Sequence, residues 1–330
     1  MSASHPRFDI LGIGNAIVDV VAPVEESFIT HHDLRKGAMT LIDADSAERL
    51  YAAMPPGIES SGGSVANSCA VAAQLGARVA YIGKVADDQL GNVFRHDIKA
   101  AGVHFPTPPL LGGAPTARCL ISVTPDGQRT MNTFLGACVE LGPDAIDAAL
   151  VADCAITYLE GYLFDPPHAQ AAFLRAAELA HKAGRRVALS LSDAFCVHRH
   201  REAFRALVRD HVDILFANET EITALYESNN WMDAADHVAR DVGIAALTLG
   251  ADGSMIIEGY TRISVPAHAT TVVDTTGAGD AFAAGFLAAH TAHRRLSESA
   301  ALGSLAAAYA IAQYGARPPV ERLRRLITGL

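Results

Sequence analysis

The stretch Val212-Asp213-Ile214-Leu215-Phe216-Ala217-Asn218-Glu219-Thr220-Glu221 joins a short apolar run to a polar segment without an intervening loop. The apolar run at residues 212–216 has the length and composition of a buried strand. The polar segment opens a pattern at residues 219–226 that predicts a helix. A strand that passes directly into a helix is the unit from which parallel α/β sheets are built.

The same alternation continues on both sides of this stretch. Apolar runs that predict strands lie at residues 155–159, 187–191 and 245–249, and helical patterns lie at residues 169–183, 202–208 and 234–241. Such alternation predicts βαβ units and a parallel sheet that helices cover on both faces. We therefore expect an α/β fold with a parallel-sheet α/β/α core.

The first third of the chain has a different pattern. β-type runs lie at residues 8–22, 116–124 and 129–135, and Pro125-Asp126-Gly127-Gln128 joins the last two. Proline presets φ and glycine allows a positive φ, so this tetrapeptide predicts a hairpin turn. Because these strands lie outside the βαβ alternation, we expect a small antiparallel sheet that covers a site at the strand ends as a lid.

Composition and charge exclude several classes of protein. The 330 residues carry a net charge of −10 and no stretch is rich in Lys and Arg, so nucleic acid is not an expected partner. The five cysteines are scattered and never spaced C-x-x-C, which argues against disulfides and structural zinc and favours a reducing cytosol. The fourteen histidines show no metal-ligand spacing.

Neither a leader nor a membrane span is expected. Residues 1–10 lack a basic flank followed by an apolar run, so they do not predict a signal peptide. The Ala-rich segment at residues 300–312 is shorter than the ~20 apolar residues of a membrane helix and predicts a buried helix instead. We therefore expect a cytoplasmic protein without a membrane partner.

The most informative polar segment is Asp274-Thr275-Thr276-Gly277-Ala278-Gly279-Asp280-Ala281-Phe282. Its glycines allow a tight turn, and the apolar pattern after it starts a helix whose first N–H groups form an anion hole suited to a phosphoryl group. Asp280 would repel a phosphate there unless it accepts a proton from the attacking hydroxyl. The alternative is an aspartate that caps an ordinary helix.

Two further segments carry polar groups at predicted turns. In Ser61-Gly62-Gly63-Ser64-Val65-Ala66-Asn67, the paired glycines let a flat ligand lie on the backbone, and Asn67 offers a donor and an acceptor. A tight strand-to-helix turn has the same pattern. Asn218 and Glu221 lie three apart at a helix start, where they either hold water around Mg²⁺ or form a capping box.

A fourth segment, Gly12-Ile13-Gly14-Asn15, lies in the first β-type run. The third glycine of the dinucleotide fingerprint is missing and the strand continues past it, which argues against a dinucleotide-dependent oxidoreductase. Asn15 and Asp19 could hydrogen-bond a diol from a strand that ends at the site. Alternatively, either could be a satisfied polar residue on an edge strand.

Together, these segments resemble the ribokinase-like (PfkB) family of carbohydrate and nucleoside kinases over nearly the whole chain. The N-terminal signature resembles residues 62–67 and 83–91, and the C-terminal one resembles residues 274–282. The resemblance implies a single ribokinase-like kinase domain over residues 1–330, with a lid formed by segments at about 14–43 and 112–137. It also implies ATP as donor, Mg²⁺ as cofactor and, in many members, K⁺ near the Asp274 loop.

The resemblance also implies roles for individual residues. The catalytic base would be Asp280, and the lid arginine would be Arg129. The anion hole would consist of Gly277, Ala278 and Gly279. The Mg²⁺-associated motif would be Asn218 with Glu221. The nucleotide side would consist of Asn218, Thr248, Gly250, Gly253 and Thr275.

Within the family, the chain is most similar to adenosine kinases, in residues 14–19, 116–119, 191–195 and 212–221. That similarity implies transfer of a phosphoryl group from ATP to the 5′-hydroxyl of adenosine, giving AMP and ADP. The ribose would lie against Asn15, Asp19, Gly62, Gly63 and Asn67. Apolar walls for the base would come from lid and core alike, at Met39, Cys119, Leu135, Leu163 and Phe195.

Three departures leave the acceptor open. Ser190 replaces the family's Asn, Asp193 adds a charge, and Leu163 stands where adenosine kinases tend to carry an aromatic that stacks on the base. The alternative within the family is a sugar kinase acting on ribose, fructose or a related sugar. A catalytically inactive binding protein is a further alternative, against which the intact Asp280 argues. The expected partner is a small-molecule nucleoside or sugar, bound by a monomer or homodimer.

Overall fold

A computed structural model describes residues 5–327 of the chain, with side chains up to residue 324. Fourteen β-strands lie in this part of the chain. In chain order they are β1 (Phe8–Ile13), β2 (Ile17–Pro23), β3 (Met39–Leu41), β4 (Ile58–Gly62), β5 (Val79–Ile82), β6 (Val103–His104), β7 (Ala117–Val123), β8 (Arg129–Phe134), β9 (Cys154–Glu160), β10 (Arg186–Ser190), β11 (Ile214–Asn218), β12 (Ile244–Thr248), β13 (Ser254–Glu258) and β14 (Thr261–Val265).

Twelve α-helices alternate with these strands over the same residues. In chain order they are α1 (Glu26–His31), α2 (Ala44–Ala53), α3 (Ser64–Gln74), α4 (Gln89–Ala100), α5 (Ala148–Ala152), α6 (Pro167–Lys182), α7 (Ala194–His211), α8 (Glu219–Tyr226), α9 (Trp231–Asp241), α10 (Ala278–Thr291), α11 (Leu296–Ile311) and α12 (Val320–Ile327). Within the described residues, no helix has both the length and the apolar character that a membrane crossing needs.

Nine strands form the main sheet, in the order β14-β13-β12-β11-β10-β9-β1-β5-β6. The strands from β12 to β6 are parallel, and β13 and β14 add an antiparallel hairpin at one edge. The predicted parallel sheet is thus confirmed. Because parallel strands end at one edge, the polar segments that follow β1, β9, β11 and β12 lie along that edge.

Both faces of the main sheet are buried. In β11, Leu215 and Ala217 face one apolar cluster, while Ile214 and Phe216 face the other. The first cluster contains residues of α6, α7, α8 and α9, and the second contains residues of α3, α4, α10 and α11. Helices therefore cover the sheet on both sides, which confirms the α/β/α core and explains why its strands are continuously apolar.

Five strands form a second sheet, in the order β3-β8-β7-β2-β4, which we call the lid. The predicted hairpin joins β7 to β8, where the Thr124 N–H donates to the Gln128 carbonyl at 3.0 Å and Gly127 has φ of 82°. The expectation of a purely antiparallel lid was wrong, because β2 pairs with β7 in parallel and β3 pairs with β8 in parallel. Both β2 and β7 follow a main-sheet strand and enter the lid in the same direction, a relation that local patterns do not encode.

The chain enters the lid at residues 14–16, where the predicted run at residues 8–22 divides into β1 and β2. A Cβ at Gly14 would lie 2.2 Å from Oε2 of Glu160, so the crossing point has no room for a side chain. The lid also includes β4, which lies outside the predicted segments at 14–43 and 112–137.

Two predicted helices differ in extent from the observed ones. The helix predicted at residues 202–208 is α7 and begins earlier, because Asp193 accepts the Phe195 N–H and caps a start at Ala194. A non-helical φ/ψ at His200 interrupts its middle. The Ala-rich segment at residues 300–312 lies mostly in α11, which packs into the second apolar cluster as expected.

Candidate active site

Two helix N-termini meet at the carboxyl edge of the main sheet. α3 begins after Gly63 and α10 begins after Gly277, with φ of 96° and 74° at the two glycines. A Cβ at Gly63 would lie 2.1 Å from the Asn15 carbonyl oxygen, and a Cβ at Gly277 would lie 2.3 Å from the Ala316 carbonyl oxygen. Only glycine suits both the positive φ and the close approach at these positions.

Asp280 lies in the first turn of α10 and faces α3. Its Oδ1 accepts a hydrogen bond from the Ser64 hydroxyl at 2.6 Å, and its Oδ2 lies 3.4 Å from the Asn67 amide nitrogen. Burial raises the pKa of the Asp280 carboxyl to about 6, although the hydrogen bonds from Ser64 and Asn67 lower it. This carboxylate is ionised at neutral pH and accepts a proton more readily than an exposed aspartate does.

The turn before Asp280 leaves backbone donors directed at the cavity. The first intrahelical acceptor of α10 is the Gly277 carbonyl, which takes the Ala281 N–H at 2.9 Å. The N–H groups of Gly279 and Asp280 lie before Ala281 in the first turn, so the helix itself provides no carbonyl acceptor for them. A Cβ at Gly279 would have nothing within 4 Å, so open space lies in front of the turn. The predicted anion-hole residues Gly277, Ala278 and Gly279 therefore have the geometry to hold a phosphoryl group.

Glu160, at the end of β9, is a buried carboxylate that no sequence pattern marked. It accepts hydrogen bonds from the Asn15 side-chain amide and from the Val65 N–H of α3, both at 2.9 Å. Burial raises its pKa to about 7. The amide nitrogen of Asn15 thus points into the protein, and only its Oδ1 has no hydrogen-bond partner among the described residues.

Asp19 projects from β2 of the lid, where it lies opposite Cys119 of β7. Residues paired in this way share one face of a sheet. A Cβ at Gly62 would lie 2.5 Å from the Asp19 carboxylate, so a larger residue at position 62 would clash with this carboxylate. Burial raises the pKa of Asp19 to about 6, and the charges of Arg317 and Arg129 act in the opposite direction.

Arg129, at the start of β8, forms an ion pair with Asp274, just before the anion-hole turn. The same carboxylate accepts the Thr276 hydroxyl at 2.6 Å and the Gly315 N–H at 3.1 Å. Burial acts to raise the pKa of Asp274, but these hydrogen bonds and Arg129 outweigh it and lower the pKa. The predicted lid arginine therefore lies beside the anion-hole turn, and the Asp274 carboxylate accepts hydrogen bonds from protein donors.

A second arginine, Arg317, reaches the site from the segment between α11 and α12, and sequence analysis missed it. Its Nε donates to Oδ1 of Asn67 at 2.9 Å, and its Nη2 donates to the Ser61 hydroxyl at 2.9 Å and to the Ser61 carbonyl. Its Nη1 lies 3.4 Å from Oδ2 of Asp97. The backbone of Ala316, just before Arg317, lies against Gly277. No pattern in the sequence around residue 317 indicates this contact.

Asn218 ends β11 and caps α8. Its Oδ1 accepts the Glu221 N–H at 2.9 Å, while the Glu221 carboxylate accepts the Asn218 N–H at 3.0 Å and the Asn218 side-chain amide at 2.6 Å. The capping box that the spacing allowed is therefore present. Burial raises the pKa of Glu221 to about 7.

These two residues fit an indirect contact with a metal. Residues 5–327 contain no group of three or more His, Cys, Asp and Glu side chains that could hold a metal ion. Mg²⁺ commonly keeps several waters and binds through one or two carboxylates and the phosphates of its substrate. Glu221, with Asn218, could hold such water ligands, and the phosphates would supply the rest.

The predicted nucleotide-side residues lie along the same edge of the sheet. Thr248 ends β12 directly opposite Asn218 of β11. The loop that follows turns at Gly250 and Gly253, with φ of 56° and 93°. Thr275 is exposed just before the anion-hole turn.

The predicted wall residues differ in exposure. Met39 of the lid and Phe195 at the start of α7 are 50% and 62% exposed. Cys119 is nearly buried in the lid, where it accepts a hydrogen bond from the Thr133 hydroxyl at 3.2 Å. Leu135 is partly exposed after β8. Both lid and core thus carry partly exposed apolar side chains among these residues, and their role as a wall stays a prediction.

The wall position assigned to Leu163 does not fit its surroundings. Leu163 is 0% exposed and packs in the first apolar cluster. Its neighbour Tyr162 is 38% exposed instead, and burial followed by the charges of Asp193 and Asp280 raises its pKa. A 3₁₀ turn at Gly161–Phe164 follows β9 and rotates successive side chains, which places Tyr162 rather than Leu163 toward the site.

The comparisons with known proteins agree with this geometry. The model of the pfkB family of carbohydrate kinases matches residues 53–323. The crystal structure of adenosine kinase from Sinorhizobium meliloti superposes with a TM-score of 0.89 at 52% identity, over 98% of this chain and 100% of that chain. A probable sugar kinase from Rhizobium etli CFN 42 gives a TM-score of 0.90 at 48% identity, over 98% of both chains. The ATP-dependent ribose-1-phosphate kinase of Halopiger xanaduensis is 32% identical over 232 residues, which are 70% of this chain and 73% of that protein.

Proposed function

The chain belongs to the pfkB family of carbohydrate kinases and is an ATP-dependent kinase, and we propose that it phosphorylates the 5′-hydroxyl of adenosine. The observation that carries this acceptor is the mixed chemistry of the residues proposed to contact it. Asp19 of the lid has a carboxylate that makes no side-chain hydrogen bond within residues 5–327, and Met39, Tyr162 and Phe195 carry partly exposed apolar and aromatic side chains. The similarity to an adenosine kinase over nearly the whole chain supports the proposal.

In this proposal Asp280 is the general base. The proton of the 5′-hydroxyl moves to the Asp280 carboxylate as the hydroxyl oxygen bonds to the γ-phosphorus of ATP. The bond from that phosphorus to the β,γ-bridging oxygen breaks at the same time, which releases ADP. The Ser64 hydroxyl holds Oδ1 of Asp280 at 2.6 Å, so Oδ2 would be the oxygen that accepts the proton.

Positively charged and N–H groups near the γ-phosphate would stabilise the transferred phosphoryl group. In this proposal the first N–H groups of α10 and the guanidinium of Arg129 would face the negative charge that develops on the phosphoryl oxygens. Fixed donors of this kind lower the barrier because they need no reorganisation. Mg²⁺ bound with ATP would neutralise charge on the phosphate oxygens. Asn218 and Glu221 are the residues that would hold its water ligands.

The acceptor side suits a nucleoside better than a free sugar. Asp19 and Asn67 supply the polar groups that a ribose diol needs. A free sugar would also place hydroxyls against Met39 and Phe195, and each buried hydroxyl left without a partner costs about 1–3 kcal/mol. A purine gains from burial and from contact with the Tyr162 and Phe195 rings instead.

A sugar or sugar phosphate is the second candidate acceptor. It is favoured by the presence of two arginines, Arg129 and Arg317, and by the similarity to a ribose-1-phosphate kinase. In this proposal the charge of Arg129, beside Asp274, serves the transferred phosphoryl group, and Arg317 contacts Asp97, which leaves little positive charge for a second phosphate on the acceptor. We therefore rank this candidate second.

An assay of ADP release tests the acceptor. Adenosine, ribose, ribose 1-phosphate and fructose are compared singly and in competition, at saturating ATP and Mg²⁺. We expect kcat/KM for adenosine to exceed the others by at least ~10-fold, because burial of an aromatic base contributes more than 1.4 kcal/mol. ³¹P NMR should identify AMP as the product. A higher kcat/KM for any of the sugars would overturn adenosine and leave the kinase reaction in place.

The cellular location, the oligomeric state and the K⁺ requirement of the enzyme stay proposals. We place it in the cytoplasm, in keeping with its five cysteines, which are all free and buried. A monomer or homodimer that binds a small molecule remains the expected form. K⁺ near the Asp274 loop remains a prediction, which replacing K⁺ by Na⁺ in the same assay would check.

A further inference from the structure

Two of the buried carboxylates at the site, Asp19 of the lid and Asp280 of the core, lie within the field of Arg317. The charge of Asp19 raises the pKa of Asp280, because like charges disfavour ionisation. Arg317 lowers the pKa of both. Its own side chain is 18% exposed, so the attraction is only weakly screened by solvent.

We propose that Arg317 is a positioning residue of the phosphoryl-transfer site, which orients Asn67 toward Asp280 and balances the charge of Asp19 and Asp280. The inference rests on the proposed role of Asp280 as the base. It adds to that role the means by which the base and its neighbouring amide are held in place.

The orientation of Asn67 follows from the chemistry of the two side chains. A guanidinium has donors and no acceptor, so the group that faces Nε of Arg317 at 2.9 Å must be the Asn67 oxygen. The Asn67 amide nitrogen then points the other way, to Oδ2 of Asp280 at 3.4 Å. Without the arginine, the amide could turn over and present its oxygen to a carboxylate.

Arg317 is itself held by the end of the lid strand β4. Its Nη2 donates to the Ser61 hydroxyl and carbonyl, and Oδ2 of Asp97 accepts the Ser61 N–H at 2.8 Å and lies 3.4 Å from Nη1 of Arg317. These contacts use both terminal nitrogens and Nε, so the plane of the guanidinium is defined. A lysine, with a single nitrogen, cannot reproduce them.

The backbone before Arg317 packs on the anion-hole turn. A Cβ at Gly277 would lie 2.3 Å from the Ala316 carbonyl oxygen, which shows how closely the two segments approach. The Gly315 N–H donates to Asp274 at 3.1 Å, and the Gln313 side chain donates to the Arg317 carbonyl at 2.7 Å. The segment at residues 313–317 thus joins the phosphate side of the site to its acceptor side.

Arg317 is one of several polar and charged groups around the proposed base, Asp280. The groups that face Asp280 from the neighbouring elements are Ser64 and Asn67 of α3, Asp19 of β2, Tyr158 and Glu160 of β9, Tyr162, Glu221 of α8 and Arg317. Asp19 raises the pKa of Asp280, and Arg317 lowers it. Removal of Arg317 should therefore move the ionisation of Asp280 to higher pH, and that of Asp19 in the same direction.

Two substitutions separate orientation from charge. Arg317→Met removes both, so kcat should fall by about 10- to 100-fold, as for misplacement of a reacting group, and the acidic limb of kcat/KM should move up by about 1 pH unit. Arg317→Lys keeps the positive charge but loses the several donors of the guanidinium. We therefore expect kcat to fall, while the acidic limb of the kcat/KM profile stays near its wild-type pH. Arg209→Met, which removes an exposed arginine that pairs with Asp210 on α7, is the matched control and should change neither quantity.

The measurements use the full chain and the acceptor that the wild type phosphorylates best, so an acceptor other than adenosine overturns the proposed substrate alone. A folded Arg317→Met variant whose acidic limb coincides with that of the wild type would overturn the charge-balancing role. A merely structural arginine would lower the melting temperature and leave the limb in place. If Arg317→Met does not fold, Arg317→Lys decides, because wild-type kcat in that variant would overturn the orienting role.

Discussion

The active site has two parts that differ in construction, and we call them the catalytic floor and the acceptor wall. The residues of the catalytic floor are Ser64, Asn67, Gly277 and Asp280, which lie at two helix starts and are bonded or packed against other residues of the site. The residues of the acceptor wall are Met39, Cys119, Tyr162 and Phe195, which come from the lid and from core loops and are, apart from Cys119, well exposed. The floor is rigid by its hydrogen bonds, whereas the wall is a surface whose shape depends on how lid and core meet.

This difference suggests a division of labour. A rigid, hydrogen-bonded floor holds the base and the anion hole in position for any alcohol that reaches it. In the proposed function, the more exposed apolar wall selects which alcohol reaches the floor. Changes in the floor should therefore lower kcat for every acceptor, and changes in the wall should alter the preference among acceptors.

The largest effect is expected for Asp280→Asn in the floor. Loss of the base should lower kcat by roughly 10²–10⁴-fold for every acceptor, while calorimetry should show that ATP still binds. Asp210→Asn, an exposed aspartate on α7, is the control and should leave kcat unchanged. Near-wild-type turnover of the Asp280→Asn variant would remove Asp280 from the mechanism.

In the wall, Phe195→Ala should change preference more than rate. We expect kcat/KM for adenosine to fall by about 5- to 10-fold, since an aromatic contact contributes about 1 kcal/mol, and kcat/KM for ribose to change by less than about 2-fold. Met232→Ala on α9 is the matched control, because Met232 is 60% exposed but lies outside the site. An equal loss for adenosine and ribose would place Phe195 in the floor instead.

A smaller effect is expected at the edge of the floor. Glu221→Gln should raise the Mg²⁺ concentration for half-maximal rate by a few-fold, because the variant loses the charge that would hold water around the metal. Glutamine still completes a capping box, so the melting temperature should change little. Glu219→Gln, on the same helix but exposed, is the control. An unchanged Mg²⁺ titration would leave Glu221 with a capping role alone.

The smallest effect concerns the lid. Arg129 and Asp274 form an ion pair that links the β7–β8 hairpin to the anion-hole turn. We expect the amides of residues 124 and 126–128 to exchange a few-fold more slowly when adenosine and a non-hydrolysable ATP analogue are bound, with α6 as an unaffected reference. Equal protection with and without the ligands would argue against a closing lid.

The turns and helix starts around the catalytic floor could be predicted from sequence because the residues that determine them are local. The turn at Gly277 needs a positive φ within one short segment, and the capping box of Asn218 and Glu221 spans four residues. The Pro-Asp-Gly turn at residues 125–127 is equally local. In each case the residues that decide the conformation are neighbours in the chain.

The features that sequence analysis missed depend on contacts between distant segments. Arg317 meets Asn67 across 250 positions, and Glu160 meets Asn15 across 145. Neither residue belongs to a periodic pattern or a motif, so only the folded chain reveals its partner. The parallel pairing of β2 with β7 has the same origin.

The wall shows a third kind of error, one of position. The similarity to adenosine kinases assigns Leu163 to the site, but the chain enters a 3₁₀ turn after β9. Leu163 is buried in this turn and its neighbour Tyr162 is partly exposed. In the proposed function, Tyr162 therefore takes the place that the similarity gave to Leu163.

The claim that Asp280 is the base is tested most directly by the pH dependence of kcat, at saturating acceptor, for the wild type and for Asp280→Asn. Since burial raises the pKa of Asp280 to about 6, its carboxylate is ionised above that pH and protonated below it. Wild-type kcat should therefore be constant above neutral pH and fall as the pH is lowered through about 6. The residual turnover of Asp280→Asn should show no such fall, and an acidic limb in the variant that matches the wild type would contradict the assignment.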